Sequence, residues 1–369
     1  MRWRVSRSIL VAVFAATVFG CAPVTTVDVV PDLATEVGPD PLMRETASDA
    51  MIDNVLEAAK PGCSAAVAVH GEVVWAGAKG VANLETGEEL TTSTRFDMAS
   101  VSKQFTATAI LMLQREGLIS LSDPIATYVA GLPRWGKTIT LEQLMHHTSH
   151  VPDYWKQLDV DGIKFTDPAS QAQVLQAIRE VAKLEPKTGY LYSNSNYVLL
   201  AAVVEAVSGQ SLPEFLHSRI FTPLGLDMEL APGLQAPDVA LSYDDNDLRV
   251  VSGWLNYGHS EIYSTATELA RWADQYRAGD IIADDFAAGA VDTTVGDQPS
   301  TGVLYAAGIN INKDGSLRHD GRFGGHTTTF QISPDRETAV VVMCNGHLAP
   351  RFGIANELWA IWGSELQGD

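Results

Sequence analysis

A serine and a lysine stand three residues apart at the start of a predicted helix. Ser100 precedes the apolar stretch 102–116 by two residues, and Lys103 is its second residue. Three residues are close to one helical turn, so the two side chains share a face, with the serine at the positive end of the helix. A lysine desolvated there loses part of its preference for the charged form and can accept the hydroxyl proton. The pair indicates a nucleophilic serine, although such spacing is common by chance.

A tyrosine and an asparagine precede a second apolar helix, predicted over 197–207. Tyr192 and Asn194 are separated by one residue. Lysine and tyrosine both have free pKa values of about 10, so either needs a mutually perturbing cluster to act as a base at neutral pH; His319 could belong to it. Alone, the segment is more simply interpreted as a helix N-terminus capped by Asn194.

Strands at both ends of the chain must position these side chains. Helices are predicted over 46–60 and 354–362, and short strands over 64–70, 72–77, 304–310, 315–322, 327–333 and 338–344. The middle, about 118–272, is mostly helix and loop. This order predicts an α+β fold, in which one antiparallel sheet built from both chain ends is flanked by helices and carries an inserted helical lobe. We expect the site in the cleft between the lobes.

Four segments, in order, resemble the serine β-lactamase and penicillin-binding-protein superfamily, especially the class C β-lactamase-related hydrolases and esterases. The segments are 96–106 around the Ser-x-x-Lys pair, 144–149, 190–197, and 319–321 followed by Gly325 and Pro334. The likeness extends over about 51–362. It implies the β-lactamase/transpeptidase-like fold and a serine hydrolase without metal or organic cofactor.

The resemblance also implies roles for particular residues. Ser100 would be acylated, with Lys103 and Tyr192 as its proton relay. The substrate would be bound by Asn194, His319, Gly321 and Arg322, and the backbone N–H groups of Ser100 and Arg322 would form the oxyanion hole.

The family likeness makes two cysteines neighbours as well. Cys63 begins the first predicted strand and Cys344 ends the last, and in the family these strands are adjacent and antiparallel. The two residues either form a disulfide or remain buried thiols.

The chain departs from the family at the strand beside the site. Penicillin-recognising enzymes commonly have lysine at the position of His319, and histidine is only partly charged near neutral pH. This favours an ester or amide without an obligatory carboxylate, unless Arg322 supplies the charge. Glu261 and His326 also replace residues usual in the family near the cleft. A β-lactamase or D-alanyl-D-alanine carboxypeptidase, and a catalytically silent binding protein, remain as alternatives.

Composition and charge exclude several other classes. The chain has 369 residues, 46% of them hydrophobic, with 25 Lys and Arg against 45 Asp and Glu. It can bury a large core, and its acidic excess argues against nucleic acid as a partner. His146, His147 and His150 have no glutamate between them in the His-Glu-x-x-His manner, so no metal site is predicted.

The N-terminus resembles an export signal. Basic residues precede the apolar stretch 9–19, and residues 18–21 resemble a bacterial lipobox that would lipidate Cys21. An ordinary cleaved signal is the alternative. We therefore expect a signal peptide at 1–20, a proline-containing tether at 21–45 and a hydrolase domain at 46–365. The protein would be a membrane-anchored lipoprotein facing the periplasm or cell exterior, acting on a small-molecule or peptide substrate.

Overall fold

The computed structural model describes residues 40–185, 188–279, 282–295, 300–347 and 349–363. Cys21, the predicted signal peptide and most of the predicted tether lie outside these residues. The helices are α1 (Pro41–Val55), α2 (Lys103–Arg115), α3 (Leu141–Met145), α4 (Tyr154–Val160), α5 (Gln171–Arg179), α6 (Asn194–Ser208), α7 (Leu212–Leu216), α8 (Thr222–Leu224), α9 (Ala266–Trp272) and α10 (Arg351–Trp362).

Fifteen strands are found in the described residues. They are β1 (Cys63–Val69), β2 (Glu72–Lys79), β3 (Val81–Asn83), β4 (Glu88–Glu89), β5 (Phe96–Asp97), β6 (Ala169–Ser170), β7 (Glu229–Leu230), β8 (Trp254–Leu255), β9 (Ile262–Ser264), β10 (Val291–Asp292), β11 (Leu304–Tyr305), β12 (Asn310–Ile311), β13 (Leu317–Phe323), β14 (His326–Ile332) and β15 (Thr338–Cys344).

The main sheet joins the two ends of the chain. Its strand order is β10-β11-β12-β13-β14-β15-β1-β2, and neighbouring strands are antiparallel. Most helices lie between β2 and β10 in the sequence. The predicted α+β fold, with an antiparallel sheet built from both chain ends and helices inserted between its halves, is confirmed.

Alternate side chains of β15 pack into two separate cores. Val340 and Val342 contact the group that includes Ile354 and Leu358 of α10. Val341, between them, belongs to the larger core formed with helices of the inserted part. Successive strand residues point to opposite faces of a sheet, so a strand covered on both sides must be apolar throughout. The sheet is therefore a rigid support with helices on both faces.

The first helix begins earlier than predicted. It spans Pro41–Val55 rather than 46–60, and the Asp40 side chain accepts a hydrogen bond of 3.1 Å from Leu42 N–H. Proline is compatible with the first helical position because its missing N–H would have no partner there. Residues 41–45, which we assigned to the tether, are therefore helical.

Among the described helices, no single one is long and apolar enough to cross a bilayer. The bent pair Asn194–Ser208 and Leu212–Leu224 is long and apolar enough together, by length and composition alone.

Cys63 and Cys344 are direct partners across β1 and β15. The two residues are fully buried and joined by a disulfide that links positions 281 residues apart. The bond therefore joins β1, the first strand along the chain, to β15, the last.

Replacing both cysteines, Cys63→Ala with Cys344→Ala, is expected to lower the free energy of unfolding by about 2–4 kcal/mol, because a cross-link over a long loop restricts the unfolded chain. Guanidinium denaturation of both proteins measures the difference. The control is a thiol titration of the denatured, unreduced parent protein; two reactive thiols besides Cys21 would show that the bond does not form.

Candidate active site

The turn that carries Ser100 is fastened on both sides. Residues Ala99–Ser102 form a 3₁₀ turn between β5 and α2. The Ala99 N–H donates to Asp97 Oδ1 at 2.8 Å, and the Ile262 N–H of β9 donates to Ser102 Oγ at 3.3 Å. Ser100 itself is half-buried at the start of the helix. Its hydroxyl is thus presented by backbone that can move little.

Lys103 is the first residue of α2 and is fully buried. Its Nζ lies 3.2 Å from Ser100 Oγ, 2.8 Å from Asn194 Oδ1 and 3.1 Å from the carbonyl oxygen of His259. Burial lowers the pKa of Lys103 to about 7, against the opposing charges of Asp153 and Asp97. A large fraction of Lys103 is therefore neutral at neutral pH.

The three partners of Lys103 differ in what they can do. Asn194 Nδ2 and its backbone N–H both donate to Asp153 Oδ2, each at 2.9 Å, which fixes the amide so that Oδ1 faces the lysine. This oxygen and the His259 carbonyl can only accept hydrogen bonds, whereas the Ser100 hydroxyl can also donate one. A neutral Lys103 therefore gives its two N–H groups to the acceptors and turns its lone pair toward Ser100.

Tyr192 lies on the other side of the nucleophile. Its ring centroid is 4.9 Å from Lys103 Nζ, and the Ser100 side chain opposes part of the rise that burial causes in its pKa. Burial raises the pKa of Tyr192 well above its usual value. The phenol therefore stays protonated at neutral pH and can donate a hydrogen bond, whereas Lys103 titrates near neutral pH.

His147 forms part of the wall behind Tyr192. Their ring centroids are 4.3 Å apart, and His147 Nδ1 faces the Ser193 N–H at 3.2 Å and Asn196 Nδ2 at 2.9 Å. Because Nδ1 accepts these bonds, the proton of the ring resides on Nε2. Within the described residues no group of three or more His, Cys, Asp or Glu side chains is arranged to hold a metal ion.

Strand β13 places His319 and Gly321 at the site. His319 Nε2 lies 3.2 Å from the Tyr305 hydroxyl, and Nδ1 lies 2.8 Å from the Asp320 carbonyl oxygen. Burial, together with the charge of Lys103, lowers the pKa of His319, so the imidazole is neutral at neutral pH. It therefore offers no positive charge to a substrate carboxylate.

Gly321 permits the close approach of β13 to the nucleophile turn. A Cβ at this position would lie 2.4 Å from the Met98 carbonyl oxygen and 3.3 Å from Ser100 N. The strand backbone thus runs directly alongside the Ser100 N–H, as a two-donor oxyanion site requires.

The side chain of Arg322 is exposed and points away from the site. Burial along β13 alternates, with His319, Gly321 and Phe323 on the covered face. The charge of Arg322 acts instead on His347 and Arg351, near the start of α10. Our expectation that Arg322 could supply the positive charge absent at His319 is wrong, because residues an odd number of positions apart on a strand face opposite sides.

Two contributors to this arrangement were not found from the sequence. Asp153 orients Asn194, and the His259 carbonyl binds Lys103. The aspartate also caps α4 by accepting a hydrogen bond from the Trp155 N–H. Aspartate is common at the start of helices, so its residue type does not point to a second role. A backbone carbonyl leaves no trace in residue type, so neither contact had a usable sequence signal.

An aromatic wall lies beside His259. Trp155, 38% exposed, contacts Trp254 at a centroid distance of 5.3 Å and Phe323 at 6.3 Å. The Phe323 ring also lies 5.8 Å from the His259 ring, and the His259 carbonyl accepts a hydrogen bond from Lys103, so this wall borders the polar cluster. The site therefore combines a polar reaction centre with an apolar flank.

Comparison with known proteins shows the family of this chain. A family model described as Beta-lactamase matches residues 48–361. Penicillin-binding protein 4* of Bacillus subtilis is 33% identical over 42% of this chain and 35% of its own length. A D-aminopeptidase of Brucella anthropi is 29% identical over 77% of this chain and 56% of its own. The chain thus spans about a third to just over half of these curated relatives.

Solved structures share the fold. The octameric penicillin-binding protein homologue from Pyrococcus abyssi superposes with a TM-score of 0.72 at 25% identity, covering 89% of this chain and 78% of that one. A D-stereospecific amidohydrolase from Streptomyces gives a TM-score of 0.70 at 23% identity, with coverages of 88% and 99%. By the match over nearly all of the described chain, this protein belongs to the beta-lactamase family, the serine hydrolase family of the penicillin-binding proteins and D-aminopeptidases.

Proposed function

We propose that the protein hydrolyses a carboxylic amide or ester through an acyl-enzyme on Ser100, with Lys103 as the base. One observation carries the proposal: Lys103 Nζ is buried between two obligate acceptors and the Ser100 hydroxyl. The lone pair of the neutral amine has a single proton to take, that of the nucleophile.

The reaction would proceed in two halves. Ser100 Oγ attacks the carbonyl carbon while its proton passes to Lys103 Nζ. The bond to the leaving amine or alcohol then breaks, and the leaving group receives a proton through the Tyr192 hydroxyl, which Lys103 replenishes. Water repeats the sequence on the acyl-enzyme: it gives up a proton to Lys103, attacks the ester carbon and releases Ser100 Oγ, which takes the proton back.

The developing oxyanion would be bound by the backbone N–H groups of Ser100 and Arg322. Donors at the first turn of a helix have no intrahelical acceptor, which leaves the Ser100 N–H free for this role. The close approach at Gly321 supports a second donor from β13. Rigid donors of this kind stabilise the tetrahedral intermediate more than the substrate.

The charge of the site favours a substrate without an obligatory carboxylate. His319 is neutral, and Arg322 points to the other face of the sheet. Lys103, the other cation of the site among the described residues, must lose its proton to act. D-Amino-acid amides and short-chain esters meet this condition, and the apolar flank at Trp155 suits an uncharged substituent. Relatives named D-aminopeptidase support the amide class.

Export and lipid anchoring remain a second part of the proposal. It is supported by the basic and apolar N-terminal sequence and by the lipobox-like residues 18–21. A protein held at a membrane outside the cytoplasm would meet amides and peptides of the cell surface.

Ser100→Ala is expected to abolish labelling by a fluorophosphonate probe and to reduce hydrolysis of a D-amino-acid nitroanilide and a nitrophenyl ester by about three decades or more, because nucleophile and base act as a unit. Ser218→Ala, at an exposed helix position, is the matched control. Wild-type protein that is folded yet unlabelled at Ser100 would contradict the enzyme proposal. Labelling by fluorescent penicillin with inert amides would favour a cell-wall enzyme instead.

The rate is expected to fall below a pH of about 7. The neutral form of Lys103 is the base, and burial lowers its pKa to about 7, so kcat/KM rises with pH through this value and then levels off. Steady-state kinetics on an uncharged ester between pH 5 and 9 measures the limb. Lys103→Arg should abolish the activity at every pH in this range, because guanidinium stays protonated. Lys137→Arg is the exposed control. An acidic limb centred near pH 4 to 5 would point to a carboxylate base.

Cys21→Ala is expected to release the protein from the membrane fraction and to prevent its metabolic labelling with a palmitate analogue, because the lipid would be attached at that thiol. Fractionation of cells expressing each form makes the comparison. A variant that still partitions with the membrane would rule out lipidation at Cys21 as the anchor.

A further inference from the structure

Asp97 is a buried carboxylate that the reaction steps above do not use. It ends β5, three residues before Ser100, and is 2% exposed. Its Oδ1 accepts the N–H of Ala99 at 2.8 Å and the N–H of Glu261 at 2.9 Å. One oxygen atom thus connects the nucleophile turn to the segment that leads into β9.

Both donors belong to residues in the left-handed backbone region. Ala99 has φ +51° and Glu261 has φ +73°. Such conformations are strained for a residue with a side chain and persist only when neighbouring groups enforce them. Asp97 accepts from each of these two N–H groups, so its carboxylate helps to hold the conformation in which Ser100 faces Lys103.

Asp97 is the more acidic member of its pair with Glu261. Burial raises the pKa of Asp97 to about 7 and that of Glu261 well above its usual value. The two N–H donors and the charge of Lys103 oppose this shift at Asp97, whereas the charge of Asp97 adds to it at Glu261. Glu261 is therefore the protonated partner, and its Oε2 takes hydrogen bonds from Gly233 N–H and the Tyr263 hydroxyl.

Among the groups that surround Lys103, two carboxylates favour its protonated form. Desolvation and the charge of Lys103 keep the nearby imidazoles of His147, His259 and His319 neutral, and the aromatic rings of Tyr192 and Tyr197 complete the enclosure. The groups that favour the protonated lysine are Asp153, beside Asn194, and Asp97.

Asp97 also lines a cavity of about 190 Å³. The ionisable residues around this cavity are Asp97, Glu261, Tyr263, His326 and Arg249. Burial lowers the pKa of His326 to about 4, which makes it neutral, and Arg249 is exposed at the rim. No described side chain other than Lys103 thus places a positive charge against Asp97 in the interior.

We propose that Asp97 is a positioning residue for Ser100 and that its negative charge favours the protonated form of Lys103, so that this carboxylate, together with Asp153, raises the lower pH limit of the reaction. The inference rests on the proposed function, because it assumes that Lys103 must be deprotonated for Ser100 to react. It assigns the geometric role to the two hydrogen bonds at Oδ1 and the electrostatic role to the charge.

Two substitutions separate these roles. Asp97→Asn keeps an oxygen that can accept both N–H groups but removes the charge, whereas Asp97→Ala removes both. The measurement is the second-order rate constant for fluorophosphonate labelling of Ser100 between pH 5 and 9, which requires no knowledge of the substrate. Asp97→Asn should move the midpoint of the acidic limb to lower pH by about one unit. Asp97→Ala should also lower the plateau rate by about tenfold or more, since the nucleophile turn is released.

Glu261→Gln is the matched control, because a protonated carboxyl and an amide have the same size and charge. Its midpoint should coincide with that of the wild type. A midpoint unmoved by Asp97→Asn, or moved equally by Glu261→Gln, would overturn the proposal. If Asp97→Ala fails to fold, the Asn and Gln variants still decide it. Wild-type protein that is never labelled at Ser100 would instead defeat the proposed function, so the two failures are distinguishable.

Discussion

The site depends on the burial of one lysine amine among three fixed partners. Lys103 Nζ is held by a side chain from the start of α6, by a backbone carbonyl at His259 and by the nucleophile one turn earlier in its own helical segment. Taking an ammonium ion out of water is costly, and the chain reduces that cost by letting the amine become neutral near pH 7. In the proposed reaction, the same loss of charge lets the amine act as the base.

The rest of the fold keeps water away from that amine and holds its partners in place. The sheet, joined through β1 and β15 and covered on both faces, supports the strand that brings Gly321 against the nucleophile turn. Asp153 fixes the amide of Asn194, and Asp97 fixes the backbone before Ser100. Their negative charges also raise the pKa of Lys103, against the lowering that burial causes. The carboxylates that order the site therefore influence its proton affinity as well.

The spacing of residues along the sequence predicted Ser100 and Lys103 better than it predicted the groups that surround them. The Ser100–Lys103 pair follows from helical periodicity, and the apolar runs at both chain ends predicted the sheet, because a strand covered on both faces must be apolar. Asn194, taken alone, was better explained as a helix cap; the structure places it at the first helical position with its side chain between Lys103 and Asp153. Arg322 was misplaced because its facing depends on strand register, which a short motif does not show. Carbonyl contacts such as that of His259 arise only from the folded backbone.

The central claim is that Lys103 is the neutral base, and the most direct measurement is titration of its own nitrogen. In protein labelled with ¹⁵N-lysine, the Nζ resonance of Lys103 can be assigned by its loss in Lys103→Arg and followed from pH 5 to 11. Its midpoint should lie near pH 7, about three units below that of exposed lysines. A Lys103 that remains protonated above pH 9 would contradict the account, whatever activity the protein has.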